Sequence, residues 1–220
     1  MHWTVCFFDF ARCSRRYAIA ALALSLVACA GIPPRTIPGV TPATQVVPEF
    51  HDVLDLDGRL SVSYQQNGRD EAVHGSFVWV QTPGHTTVHL LTPFGQTMAA
   101  IDVTPQAATL TQAGRPPRIA QDADALAAET LGWPLPISGL RHWLQGFVID
   151  AQGRHIFAAV QNTGTASFTT RDGWRVRYVS WASAAPSSAQ NRPKRIDLDR
   201  STTQAGKVSI RIVIDNWKAR

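Results

Sequence analysis

The chain has 220 residues, 45% of them hydrophobic and 17% charged, with a formal net charge of +5. That length accommodates one domain of about 150 residues with a real core plus appended segments. Its composition is ordinary for a globular protein. Taking away residues 1–28 removes three Arg and one Asp and leaves +3, a surplus too mild to imply nucleic acid as a partner.

The first segment is a targeting signal. Arg12, Arg15 and Arg16 precede a 12-residue apolar run, Tyr17 to Ala28. A basic stretch followed by an apolar run of this length is a secretory signal, too short to remain as a spanning helix. It ends in Leu26-Val27-Ala28-Cys29, which resembles the lipobox of bacterial lipoproteins. There the Cys is acylated on sulfur and, after cleavage, on its amine, so Cys29 is the expected lipidation site. The following residue is Ala30 and not the Asp associated with inner-membrane retention, which by the same resemblance directs the protein to the outer membrane. Cys6, Cys13 and Cys29 are the three cysteines, so the remaining chain has neither a disulfide framework, nor a CxxC metal site, nor a thiol nucleophile.

Residues 29–50 form a Pro-rich tether, with five prolines in residues 30–50 and no apolar period. Proline at this density excludes helix and favours an extended spacer. Such a segment reaches at most ~70 Å, enough to hold a domain off a membrane or let it return.

The body, residues 51–220, reads as β-sheet. Apolar and polar residues alternate in Gly58–Tyr64, Gly75–Gln81, Thr86–Leu91, Thr97–Val103 and Ala108–Thr111. Alternation returns in His155–Val160, Ala166–Thr170, Trp174–Trp181, Arg195–Asp199 and Lys207–Asn216. Asn67-Gly68, Pro83-Gly84, Asp172-Gly173 and Ala205-Gly206 punctuate the runs as turns. Many short strands at this spacing predict an antiparallel sandwich or barrel. Thr92-Pro93-Phe94-Gly95 predicts a type I turn with Pro at its second position, which puts the Phe94 ring outward at the tip.

Residues 121–146 break the pattern. Asp122–Gly132 predicts a short helix with an Asp start and a Gly stop. Ser138–Gly146 predicts a second, with Leu140, Trp143 and Leu144 on one face. Two short helices inserted in a β meander suit a lid over a half-open sheet.

A search for reaction chemistry finds no GxSxG, Walker A, HExxH or GxGxxG. His85 and His89 would stand ~13 Å apart along a strand, too far to share a metal. The pairs Asp55/Asp57 and Asp197/Asp199 read as solvent-facing strand positions and not as an acid–base dyad. Arg192-Pro193-Lys194-Arg195 with Arg171, Arg175 and Arg177 reads as a solvated basic face, with a docking patch as the minority alternative. The chain is therefore expected to be no enzyme, with no cofactor and no metal.

What remains is apolar bulk: Phe77, Trp79, Leu90, Met98, Trp133, Leu140, Trp143, Leu144, Trp174, Val176 and Tyr178. Periodicity leaves two readings open, an ordinary core or a cavity for acyl chains in the mouth of a barrel.

Several of these stretches together resemble one family. Gly58-Arg59-Leu60, Gly75-Ser76-Phe77-Val78-Trp79 and Leu90-Leu91-Thr92-Pro93-Phe94-Gly95 are followed by Leu131-Gly132-Trp133-Pro134-Leu135-Pro136-Ile137 and Leu140-Arg141-His142-Trp143-Leu144-Gln145-Gly146. Then come Gly173-Trp174-Arg175-Val176-Arg177-Tyr178 and the terminal Lys207 to Trp217. In this order, over about residues 56–217, they are similar to the outer-membrane lipoprotein LolB family. The resemblance implies an incomplete antiparallel β-barrel with a helical lid and an apolar cavity lined by the aromatics above. It implies a lipid-anchored monomer on the periplasmic side of the outer membrane. This receptor accepts lipoproteins from the soluble carrier LolA and inserts them into the inner leaflet, with no nucleic acid involved. Pro93, Phe94 and Gly95 would match the family's protruding apolar loop, usually tipped by Leu, and the basic residues become candidates for docking the carrier. Two other readings stay open beside it: a lipocalin-like binder of small apolar ligands, and a structural lipoprotein of the envelope.

Overall fold

The period-two runs form one large antiparallel sheet. A computed structural model describes residues 49–158, 166–182 and 192–219, all within the compact unit that begins at Val46. The signal segment, Cys29 and nearly all of the tether lie outside the described residues, as does Val160 at the end of a predicted strand.

Ten strands make up this sheet. They are β1 (Leu54–Gln66), β2 (Arg69–Thr82), β3 (His85–Leu91), β4 (Thr97–Val103), β5 (Ala108–Gln112), β6 (Arg118–Ala120), β9 (Ala166–Thr169), β10 (Arg175–Ala182), β11 (Arg192–Thr202) and β12 (Gly206–Ala219). A small hairpin of β7 (Phe147–Ile149) and β8 (His155–Phe157) stands apart from it. The order across the large sheet is β6-β5-β4-β3-β2-β1-β12-β11-β10-β9. Only the β1–β12 neighbours are distant in sequence, so two meanders join through the first and last described strands. The edge strands β6 and β9 do not pair with each other, and the barrel stays open.

Side chains alternate across this sheet, as period two requires. In β1, Leu54, Leu56, Leu60 and Val62 are buried on the concave face, while Arg59 and Ser63 are exposed. β12 repeats this with Val208, Ile210, Ile212 and Ile214 inside. A register shift at Asp57/Gly58 and others in β10–β11 bend the strands and tighten the curl. At Gly75 a Cβ would strike the Leu91 carbonyl, so only glycine lets the β3 strand end approach β2 this closely.

The opening is filled by α1 (Ala123–Leu131) and α2 (Ile137–Trp143). Asp122 caps α1 by accepting from the Asp124 and Ala125 amides at 2.9 and 3.0 Å, and Gly132 ends it in the left-handed region. α2 starts after Pro136 without a cap of its own. Asp124 of α1 supplies one, accepting from the Ser138 amide at 3.0 Å and from the Ser138 hydroxyl. Burial raises the Asp124 carboxyl above its ordinary range, and the Ser138 bonds pull it partly back. The helices bury Leu126, Leu140, Trp143 and Leu144 against the sheet, so the lid and the concave face share one core. Among the described residues no helix is long and apolar enough to cross a membrane.

Candidate functional site: the seam beneath the lid and the turn at its rim

The seam between lid and sheet is apolar throughout. Leu135, Leu140 and Leu144 come from above, and Leu60, Phe77, Trp79, Val88, Leu90 and Ile212 come from the concave face. They enclose a void of about 20 Å³. A void of that size holds about one water, whereas sites for drug-sized ligands span roughly 300–1,000 Å³. In this state the interior is packed. Phe77, Trp79, Leu90, Leu140 and Leu144 of the predicted cavity set meet at this void. Trp133, Trp143, Trp174, Val176 and Tyr178 are buried elsewhere in the same core, and Met98 is half-buried against it. Sequence reasoning missed Leu60, Val88, Leu135 and Ile212. Leu60, Val88 and Ile212 follow from alternation within predicted strands, while Leu135 sits between two prolines and carries no period.

Arg118 on β6 holds α1 through Thr130 Oγ1 and Glu129, and three polar attachments hold the α2 end of the lid. Arg141 on α2 donates to Thr86 Oγ1 and the Thr82 carbonyl, both at 2.9 Å, and burial lowers its guanidinium below the ordinary value. The Tyr178 hydroxyl donates to the Trp143 carbonyl at 3.0 Å, and its own burial pushes its pKa up. Buried Gln145 takes the His51 amide at 2.8 Å and returns a bond to the His51 carbonyl at 3.0 Å. Buried Gln81 also donates to that carbonyl and accepts from Trp79 Nε1. Next to this clasp, Phe50 stacks on His155 with centroids 3.8 Å apart, and His155 lies 3.1 Å from His142 Nδ1. Burial, with the nearby charges of His155 and Arg141, pushes His142 down to about 4.

The Thr92–Gly95 turn forms as expected. The Gly95 amide donates to the Thr92 carbonyl at 2.9 Å, and Thr92 and Gln96 close the loop at 2.8 Å. Phe94 keeps a negative φ, as type I requires, and Gly95 takes φ +80°. Phe94 is 91% exposed, more than any other large hydrophobic residue of the described set.

Within the basic cluster Arg171 and Arg175 are exposed, as a solvated face requires, whereas Arg177 and Arg195 are ion-paired. Asp197 is buried and accepts from Arg177 Nη2 and Arg195 Nη2 at 2.9 Å, with Arg211 Nε at 3.7 Å. It therefore departs from the expected solvent-facing position, because three guanidinium groups fold over it. Its carboxyl is depressed, with the Arg195 and Arg177 bonds outweighing burial. Asp57 and Asp199 instead accept from Asn216 and Ser209. His85 pairs with Asp102 at 2.8 Å and not with His89, and no three metal-ligating groups gather among the described residues.

Fold and site together define a half-open antiparallel barrel whose apolar interior lies under a two-helix lid. The family model for "Outer membrane lipoprotein LolB" matches residues 53–217. The chain is 38% identical to the outer-membrane lipoprotein LolB of Cupriavidus pinatubonensis, over 94% of this chain and 97% of that one. It is 38% identical to that of Cupriavidus necator, over 92% and 96%. A solved LolA superfamily protein from Nitrosomonas europaea aligns at TM-score 0.40 and 11% identity, over 77% of this chain and 87% of that one. The chain belongs to the outer-membrane lipoprotein LolB family, and its place is the outer membrane, held by lipid.

Proposed function

We propose that the protein accepts lipoproteins from a soluble periplasmic carrier of the LolA type and releases them into the inner leaflet of the outer membrane, without covalent chemistry. A role in lipoprotein localisation comes with the family. The observation that carries the finer reading is the seam under the lid, apolar on every wall. Acyl chains that enter it replace leucine contacts with equivalent apolar contacts. The exchange is then close to neutral, and neither nucleotide nor bond cleavage is required. Cys29 carries the anchor, the tether sets the reach, and Phe94 at its rigid turn dips into the leaflet during release. The lipocalin-like and structural readings account for neither the Phe94 tip nor the lid attachments.

The test offers a carrier loaded with lipoprotein to the protein in solution. Transfer of cargo to the protein, blocked when α2 is fixed to β3 by an engineered disulfide, supports this reading. Cargo that stays on the carrier, or moves equally well with the lid locked, overturns it.

A further inference from the structure

A second site lies on the outer face of the sheet, beside the Phe94 turn. Its floor is a grid of directly paired residues on three strands. One row runs Val213–Arg59–Ser76 and the next Arg211–Ser61–His74. With strands about 4.8 Å apart and alternate residues about 6.7 Å apart, the grid measures roughly 10 by 7 Å. Small Ser61 and Ser76 sit between long Arg and His side chains, so the grid is sunken. Pro93 closes one end, and the groove holds about 450 Å³. It lies one residue from the 91% exposed Phe94.

The groove is cationic. Arg59 is held in place by Asp215, with Nε and Nη2 each donating at 2.9 Å, and Nη1 has no hydrogen-bond partner among the described residues. Asp215 is also shared with Lys194 at 3.6 Å. Arg211 is the third and most distant cation on Asp197, at 3.7 Å, so one carboxylate is shared among three guanidinium groups and the cluster keeps a net positive charge. Asp215 lies beside Arg59, and Asp197 on β11 is the direct cross-strand neighbour of Arg211, so each groove arginine has one carboxylate next to it, and each of those carboxylates is shared with further cations. The Ser61 hydroxyl and His74 Nδ1 are 2.9 Å apart, a polar pair in the middle of the floor.

We infer that this groove binds the phosphodiester of a net-anionic glycerophospholipid headgroup, with Arg59, Ser61, His74, Ser76 and Arg211 as its polar contacts. The charge is complementary, the grid matches a headgroup in size, and Pro93 joins the site to an apolar tip suited to the acyl layer below. The inference rests on the reading of Phe94 as a membrane-facing residue. It adds a second, polar point of contact that fixes how the barrel mouth stands over the leaflet.

The experiment uses the chain from residue 29 onward carrying Cys29→Ala, so that vesicle binding reads neither the acyl anchor nor the apolar run of residues 17–28. Vesicles are phosphatidylcholine alone or an equimolar mixture with phosphatidylglycerol. Binding should favour the mixture, and Arg211→Ser should weaken it about fivefold. Lys207→Ser removes the same charge from the same face of β12 outside the groove and should bind close to the unsubstituted chain. Equal losses from the two variants, or no loss from Arg211→Ser, overturn the inference. Soluble dihexanoyl-phosphatidylglycerol should shift the Ser61, His74 and Ser76 amide resonances saturably, well below the concentration at which inorganic phosphate does. Equal response to inorganic phosphate reduces the groove to a free-anion site and also overturns it. A failure here leaves lipoprotein transfer untouched, since that is read separately by cargo delivery with Phe94 variants.

Discussion

Replacing Phe94 by Glu separates what the turn does for folding from what it does at a membrane. Its ring is 91% exposed, and the turn is closed by the Thr92, Gly95 and Gln96 backbones and the Thr92 hydroxyl, none of which involves the Phe94 side chain. Unfolding free energy should therefore move by no more than about 0.5 kcal/mol. Burying the ring in the acyl layer is worth roughly 1.5–3 kcal/mol, which corresponds to a factor of about 10–150 in population. A carboxylate in its place adds a desolvation cost in the same direction. Phe94→Glu should thus slow delivery from receptor to liposomes at least about tenfold, while Phe94→Leu keeps it near normal. The assay starts from carrier loaded with labelled lipoprotein and counts the label on carrier, receptor and vesicles over time. Label should accumulate on the Phe94→Glu receptor. Unchanged delivery refutes the membrane role of the tip, and an equal loss of capture shows that the residue acts at the carrier instead.

Leu140→Ala enlarges the void under the lid and should cost about 2–5 kcal/mol, or about 4–20 °C in Tm for a domain of this size. A fluorescent fatty acid should recover more of that loss than it adds to the unsubstituted protein, and destabilisation without tighter acyl binding would argue against the seam as the acyl site. Arg141→Met breaks charge-assisted bonds worth roughly 1.5–3 kcal/mol. It should speed amide exchange in α2 while β1 and β12 stay protected, and uniform acceleration would mean that the residue supports the whole fold. His142 is pushed down to about 4 in the fold, below its ordinary value of 6.5. The unfolded chain binds the proton more readily, so stability present above about pH 6.5 should fall by about 1–2 kcal/mol as pH drops towards 4. Arg141, Asp52 and His155 face the same ring. Urea midpoints at pH 7 and pH 5 measure the slope, which His142→Phe should flatten; an unchanged slope assigns it to other groups.

Much of this molecule is local, and that part was readable in the sequence. Strand alternation survives because each strand has one face on the core and one in water, so the period is written residue by residue. The Asp122 and Gly132 limits of α1 and the Pro93–Gly95 turn depend on a few neighbouring backbone groups. They too were visible in the one-dimensional pattern. The short edge strand β6 and the hairpin strand β7 were not, since three residues are too few to show a period. The aromatic and aliphatic residues announced an apolar interior, but not which of them would meet at the void. That choice depends on where α2 lies across β1–β3 and β12, and it brought in Leu135 from a proline-flanked stretch with no pattern. Asp197 is the clearest case of a tertiary decision. Alternation placed it in solvent, yet Arg177, Arg195 and Arg211 from three adjacent strands converge on it. The groove under Pro93 exists for the same reason: β12 returns to pair with β1 and sets Arg211 beside Ser61, 150 residues away in the chain. Sequence determines which faces are apolar and where the chain turns. Only the closing of one meander on the other decides which charges and which leucines become neighbours.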